Sequence, residues 1–162
     1  MYQKIMVPLD GSKLAECVLP HVDSIVTGCG TADVIFLRVV EPSRMPAGME
    51  PDGGIVFSAE QAARLRMELD TENMALAEEY VNGVAARHRY PGAEVSGQVM
   101  MGKPAETIAE YAAKKTIDLI VIATHGYSGI SRWVWGSVAD KVLRASCTPI
   151  LMIRAPGCVP GF

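Results

Sequence analysis

The chain has 162 residues, of which 49% are hydrophobic, and its formal net charge is −3 with no basic run. This length and composition are typical of one globular domain, and they argue against a duplex-binding protein, which normally carries a basic face. No apolar run reaches the roughly 18 residues that span a bilayer, and no signal-peptide pattern precedes the first strand, so we expect a cytoplasmic protein without membrane or nucleic-acid partners.

The four cysteines and three histidines are scattered along the chain. None of the cysteines forms a C-x-x-C pair, and no paired histidines stand near them. Zinc ligands normally come in such short spacings, so we expect no metal site and, in a cytoplasm, reduced thiols.

The first part of the chain predicts two strands joined by a helix. Residues 4–10 and 34–40 are largely apolar segments, and both are interpreted as strands. Ser12 stands where it can cap the intervening helix. Pro20 falls inside the helical pattern, so we expect a kink there.

Residues 41–57 are rich in proline and glycine, which predicts a long mobile loop. The loop leaves the end of the second strand, and two interpretations stay open, a lid or a disordered insertion. Ser58 and Gln61 then match a capping box that opens a long helix toward Arg89. The helical period predicts a buried stripe on it, made of Leu65, Leu69, Leu76, Tyr80 and Val84.

The second part of the chain repeats the alternation. Strand patterns cover residues 94–100, 119–123 and 149–153. A helix starts at Pro104, a tolerated first position, and another opens at Gly136-Ser137. The order β-α-β-α-β-α-β-α-β predicts a five-stranded parallel sheet with helices on both faces, in one domain over residues 1–154, with a Pro/Gly tail over 155–162.

One edge of such a sheet is the expected ligand site. Ligands bind beyond the carboxyl ends of parallel strands, which here places Asp10, Val39-Val40 and residues 123–126 together. After the fourth strand comes a loop with Gly126 and Gly129 and then the helix that opens at Gly136-Ser137. A glycine-bearing loop that leads into a helix N-terminus is typical of an anion site.

The spacing in this region matches none of the common phosphate-binding motifs. Gly102-Lys103 runs into Pro104, so no P-loop is present, and the turn after the first strand, Asp10-Gly11-Ser12, lacks a G-x-G-x-x-G pattern. His125 has no nucleophile or carboxylate placed beside it by sequence, so no catalytic triad can be argued.

The region instead resembles the nucleotide-binding signature of the universal stress protein family, which is Gly, two residues, Gly, nine residues, then Gly-Ser or Gly-Thr. This chain matches the signature at Gly126, at the nine residues that come next and at Gly136-Ser137. It differs only at the first position, where Ala123 replaces the glycine. The first-strand Val-Pro-Leu-Asp-Gly-Ser, the Gly102-x-Pro104 helix start and the final strand from Thr148 resemble the family too. The chain is identified as a member of its nucleotide-binding branch.

The resemblance implies a Rossmann-like fold of the adenine nucleotide alpha-hydrolase-like type, which binds ATP, ADP or AMP with or without Mg²⁺. It also implies that Asp10 contacts the nucleoside, that Val39 touches adenine, and that the glycines approach phosphate. A homodimer through Pro149–Ile153, paired with its twin across a two-fold axis, is expected as well. The site residues carried over are Pro8, Asp10, Val39, Ile122, Ala123, His125, Gly126, Gly129, Gly136, Ser137 and Val138.

Several alternatives to this interpretation stay open. An ATP-binding stress-response regulator with at most slow hydrolysis is the main hypothesis, and a dimeric interaction module that has lost nucleotide, which Ala123 favours, is the second. An ATP-pyrophosphatase ligase would need a Ser-Gly-Gly-rich loop after the first strand, and a receiver domain would need an acidic pair there, whereas Asp10 stands alone. Asp10 could also simply cap the first helix with Ser12, and Val39 could be plain core.

Overall fold

The computed structural model describes residues 2–44, 58–124 and 137–154. Strands and helices alternate along the described chain, which confirms the predicted α/β class. In chain order, with one short 3₁₀ helix, the elements are β1 (Lys4–Pro8), the 3₁₀ helix (Ala15–Val18), α1 (Leu19–Cys29), β2 (Asp33–Val40), α2 (Ala59–Arg87), β3 (Glu94–Met101), α3 (Pro104–Lys114), β4 (Leu119–Thr124), α4 (Ser137–Ala145) and β5 (Ile150–Arg154).

The five strands form one sheet in the order β3-β2-β1-β4-β5, and every neighbouring pair is parallel. The predicted five-stranded parallel sheet is therefore confirmed, and β5 lies at an edge as expected. The chain leaves β1 toward β2 on one side and later returns to β4 on the other. This reversal between β1 and β4 is the switch point beside which parallel sheets bind ligands.

Helices cover both faces of the sheet, as predicted. Successive side chains of a strand point to opposite faces, so Ile5 and Val7 pack in one apolar layer and Met6 packs in the other. The first layer receives side chains from α1 and α2, and the second from α3 and α4. The helical contributors are Val22, Val26, Val81 and Val84 in the first layer and Ile108, Ala112, Ala139 and Val142 in the second.

The first helix differs from the expectation of one kinked helix that starts at Ser12. The Ala15 N–H donates to Ser12 Oγ at 3.1 Å and opens the 3₁₀ helix, after which α1 begins at Leu19. Pro20 therefore lies in the first turn of α1, where a missing N–H breaks no helical bond, and not in a helix interior.

The second helix begins as predicted, because the Ser58–Gln61 capping box is present with both reciprocal hydrogen bonds. The predicted buried stripe is wrong at Leu69 and Leu76, which are 38% and 57% exposed. Small side chains bring the helix close to the sheet, and its buried residues are Ala77, Val81 and Val84. Although α2 has 29 residues, neither it nor another described helix is long and apolar enough to cross a membrane.

The start of the predicted 41–57 loop lies against the middle of α2. The Ser43 N–H donates to Asp70 Oδ1 at 2.7 Å, which holds the chain there after it leaves β2. Residues 45–57 and 155–162 lie outside the described residues, so the lid, the insertion and the tail stay predictions.

The close approach of α2 to β3 can be tested with a pair of glycine substitutions. A Cβ at Gly97 would lie 2.7 Å from Asn82 Oδ1 and 2.8 Å from Val81 Cγ2, whereas a Cβ at Gly28 in α1 would meet nothing within 4 Å. Gly97→Ala should lower the free energy of unfolding by about 1–3 kcal/mol through overpacking. Gly28→Ala should raise it by about 0.5–1 kcal/mol, because alanine loses less entropy in a helix. Urea unfolding measures both, and a Gly97→Ala protein as stable as the wild type would contradict this packing.

Candidate functional site

A cavity of about 170 Å³ lies beyond the carboxyl ends of β1, β2 and β4, between the first turns of α3 and α4. Its described lining is apolar except for one carboxylate, that of Asp10. The lining residues are Pro8, Leu9, Asp10, Leu14, Ala15, Leu37, Val39, Pro104, Ile108, Ile122, Ala123, Val138 and Ala139.

The structure brings together the predicted site residues that it describes with their side chains. Those residues, which all line the cavity, are Pro8, Asp10, Val39, Ile122, Ala123 and Val138. Ser137 is the first residue of α4, but its side chain is outside the described part. His125, Gly126, Gly129 and Gly136 also lie outside it, so their predicted roles stay predictions.

Sequence reasoning missed several residues of the wall, although signals for them were present. Leu37 precedes Val39 by two positions in a strand, and this spacing directs both side chains to the same face. Pro104 opens α3 directly after β3, so the first turns of that helix reach the same edge, and Ile108 follows Pro104 by about one turn.

The apolar wall suits the face of a planar ring. Leu37 and Val39 contribute from β2, Ile122 from β4 and Ile108 from α3. An engineered apolar cavity of about 150 Å³ binds benzene, so the volume is right for a ring, while a whole nucleotide would extend beyond the cavity.

Asp10 supplies the charged group of the described cavity lining, and Ser12 holds its carboxylate in place by hydrogen bonds. The Ser12 N–H donates to Asp10 Oδ1 at 2.9 Å, and the Ser12 hydroxyl donates to the same oxygen at 2.6 Å. Partial burial alone would raise the pKa of Asp10, but these hydrogen bonds and the nearby charge of Arg38 outweigh it, so the pKa lies below its ordinary value of 3.8. Asp10 is therefore ionised at neutral pH and can accept further hydrogen bonds. The capping role weighed from the sequence falls to Ser12, whose hydroxyl accepts from the Ala15 N–H at 3.1 Å. The hydrogen bonds of Asp10 within the described residues come from Ser12, which is compatible with ligand binding.

Two helix N-termini flank the cavity. Pro104 opens α3, and the first turn of α4 contains Asp140, which accepts a hydrogen bond from Arg144 Nε at 3.0 Å. A helix N-terminus stabilises a bound anion by about 0.3–1 kcal/mol, and a carboxylate in the same turn offsets part of the positive potential there. These termini alone would therefore bind a phosphate weakly. In the described ranges, no three His, Cys, Asp or Glu side chains are grouped to hold a metal ion.

Comparison with known proteins gives a consistent result. A sequence model described as the universal stress protein family matches residues 1–154. Universal stress protein MJ0531 of Methanocaldococcus jannaschii is 30% identical over 156 residues, which cover 96% of this chain and 84% of that protein. The solved structure of MJ0577 from the same organism has 25% identity and a TM-score of 0.75, and the match covers 97% of this chain and 99% of that one.

Two further solved structures share the fold at lower identity. An Arabidopsis thaliana universal stress protein family protein with AMP bound is 14% identical with a TM-score of 0.59, over 96% of this chain and 93% of its own. A universal stress protein in complex with cAMP is 18% identical with a TM-score of 0.57, over 94% of this chain and 97% of its own.

The hydrogen bonds to Asp10 give a prediction about its titration. Ser12→Ala removes the 2.6 Å bond, so the pKa of Asp10 should rise, which carboxyl ¹³C NMR can follow. The matched control is Ser24→Ala, which removes a hydroxyl bonded to the Pro20 carbonyl in α1 and should leave Asp10 unchanged. Because the folded pKa is depressed, the stability that Asp10 contributes is present above pH 3.8 and is lost as the pH falls through the folded value. An unshifted titration in Ser12→Ala would show that the Ser12 hydroxyl does not lower the pKa of the Asp10 carboxylate.

Proposed function

Because the chain belongs to the universal stress protein family, we propose that it binds an adenine nucleotide in the cavity at the carboxyl ends of β1, β2 and β4. ATP is the first candidate, and ADP and AMP are the others. The proposed role is that of a cytoplasmic stress-response regulator with at most slow ATP hydrolysis. The observation that carries the proposal is that the described site residues carried over from the family resemblance line one cavity, whose described lining has a single carboxylate.

The base is assigned to the apolar wall. Leu37 and Val39 present a flat strand surface on one side, and Ile108 and Ile122 lie around the same space. Burial of an aromatic ring in such a space is favourable by about 1.5–3 kcal/mol. Among the described lining residues, the wall offers no charged side chain to the base, and we assign the discrimination between bases to backbone groups at the rim.

The ribose is assigned to Asp10. Its carboxylate is ionised at neutral pH and lies on the cavity lining within two residues of the end of β1. A hydrogen bond from a sugar hydroxyl to a charged acceptor contributes about 1.5–3 kcal/mol. Asp10 therefore has the chemistry and the place of a ribose ligand.

The phosphates are assigned to the loop that carries Gly126, Gly129 and Gly136 and to the N-terminus of α4 at Ser137. This part of the proposal comes from the spacing of the signature, since these loop positions lie outside the described residues. A Mg²⁺ ion on the phosphates stays a prediction of the resemblance.

The ligand-bound relatives support the nucleoside part of the proposal. AMP and cAMP share adenine and ribose but differ in the geometry and charge of their phosphate. The moiety common to both is the one that the apolar wall and Asp10 suit. We therefore expect adenosine itself to bind this chain, with the phosphates adding affinity.

The second candidate function is a dimeric interaction module that binds no nucleotide. Ala123 favours it, because this residue replaces the first glycine of the signature and lies on the cavity lining. A methyl group is the smallest side chain that could obstruct a ligand there. Nucleotide titration separates the two candidates directly.

Calorimetric titration with ATP and with GTP tests the proposed site. The wild type should bind ATP more tightly than GTP. Val39→Phe fills part of the cavity and should weaken ATP at least about tenfold, since the ring and the base cannot occupy the same space. The control is Met100→Phe on β3, in register with Val39 but 39% exposed and off the cavity lining, which should bind as the wild type does.

Three outcomes of this titration would count against the proposal. Absence of ATP binding to the folded wild type would favour the nucleotide-free module. Unchanged ATP affinity in a folded Val39→Phe protein would show that nucleotide binds elsewhere. Equal affinity for ATP and GTP would remove the assignment to adenine.

We also propose that β5 closes a homodimer. β5 is an edge strand, so one row of its backbone N–H and C=O groups faces no other strand in the described part of the chain. Its side chains before Arg154 are apolar, and Leu151 is 36% exposed. Antiparallel pairing of Pro149–Ile153 with a second copy about a two-fold axis would satisfy both edges with one self-complementary surface.

Charged substitutions on β5 test the dimer. Light scattering should give a dimer mass for the wild type at micromolar concentration, and Leu151→Lys combined with Ile153→Glu should give a monomer. Leu76→Lys on α2, where the leucine is 57% exposed, is the control and should remain a dimer. A monomeric wild type would refute the dimer, and an intact dimer in the folded double variant would refute its closure through β5.

A further inference from the structure

Arg38 on β2 has an unusual environment for a charged residue. Its Nε and Nη1 atoms are buried and have no hydrogen-bond partner among the described residues. Buried donors are normally paired, and a guanidinium carries five N–H groups. Arg38 directly precedes Val39 in the strand, so its side chain points to the opposite face of the sheet from the cavity wall.

The guanidinium is held from the side of α2. Its Cζ lies 5.6 Å from the centroid of the Tyr80 ring, which is a cation–π arrangement. The Tyr80 hydroxyl in turn donates to Glu16 Oε1 at 2.8 Å, which links α2 to the 3₁₀ helix. The ring of Tyr80 is thus fixed at both ends, and it forms a rigid support for Arg38.

The same guanidinium lies against the turn that carries Asp10. Gly11 has a φ of +84°, and a Cβ built on it would collide with Nη1 of Arg38. Glycine suits this position because its φ is positive and because a Cβ would force the guanidinium to move away from the turn. The positive charge also acts on the Asp10 carboxylate next to Gly11 and favours its ionised form.

We propose that Arg38 is a positioning residue for Asp10: packed between the Tyr80 ring and the Gly11 backbone, it supports the turn that presents the carboxylate to a ribose. This inference rests on the proposed function, since it assumes a ribose at Asp10. Arg38 touches no ligand itself, because it lies behind the turn and on the other face of β2. Through Asp10, Arg38 increases the affinity of the site for a nucleoside with ribose hydroxyl groups relative to one without them.

Three variants separate this role from simple structural support. Arg38→Met removes the charge and the donors but keeps the length of the side chain. Arg38→Lys keeps the charge without the planar group that stacks on Tyr80, and should restore part of the effect. Tyr90→Phe is the matched control, because it removes a tyrosine hydroxyl bond, to Asp23 Oδ1 at 2.6 Å, that takes no part in holding Arg38, and it should behave as the wild type does.

The measurement is the ratio of the dissociation constants for adenosine and 2′,3′-dideoxyadenosine, obtained by calorimetry. The wild type should prefer adenosine. Arg38→Met should weaken adenosine about tenfold and leave the dideoxy compound unchanged, because only the hydrogen bond to a charged acceptor is impaired. In an Asp10→Ala background the same substitution should have no further effect. If Arg38→Met weakens both ligands equally, or neither, the inference is overturned.

A second readout needs no ligand and keeps this inference distinct from the proposed function. Carboxyl ¹³C NMR of the free protein should show a higher pKa for Asp10 in Arg38→Met than in the wild type. If the wild type binds no adenosine, the proposed function fails, while this titration still decides whether Arg38 acts on Asp10. An unshifted Asp10 titration in folded Arg38→Met would overturn the inference even if adenosine binds.

Discussion

The burial of β1 on both faces is the constraint on which the rest of the structure depends. Ile5, Met6 and Val7 are completely buried, two of them under α1 and α2 and one under α3 and α4. These three side chains belong to the core, and Lys4 lies at the opposite end of the strand, where it pairs with Asp33. At this edge of the sheet, β1 can therefore present a polar group to a ligand only beyond its end. Asp10 stands there, at the point where the strand order reverses and the flanking helices leave a crevice.

The described residues make the site a better match for a nucleoside than for a phosphate. In the proposed complex, burial of a base against the apolar wall and a hydrogen bond to Asp10 would contribute about 1.5–3 kcal/mol each. A helix N-terminus contributes only about 0.3–1 kcal/mol to binding of an anion. The groups that hold the Asp10 carboxylate therefore affect the proposed binding free energy more than the helix dipoles do. These groups are Ser12 on one side of the turn and Arg38 on the other.

The parts of the fold that sequence could predict are those set by local pattern. The apolar runs gave all five strands, and Ser58 with Gln61 marked the start of α2, because strand burial and capping depend on near neighbours. The predicted buried stripe of α2 was right at Val84 and wrong at Leu69 and Leu76, because the periodic pattern favoured large leucines, whereas Val81 packs closely on Gly97 of the neighbouring strand. The role of Arg38 was also missed, because it depends on contacts with Tyr80 and Gly11, which lie on other parts of the fold and are not near it in the sequence.

A crystal structure of the protein grown with adenosine tests the central claim most directly. In that crystal structure, the base should lie against Val39 in the cavity and a ribose hydroxyl should lie within about 3 Å of an Asp10 carboxylate oxygen. Adenosine bound at another surface, or bound in the cavity with its ribose turned away from Asp10, would contradict it.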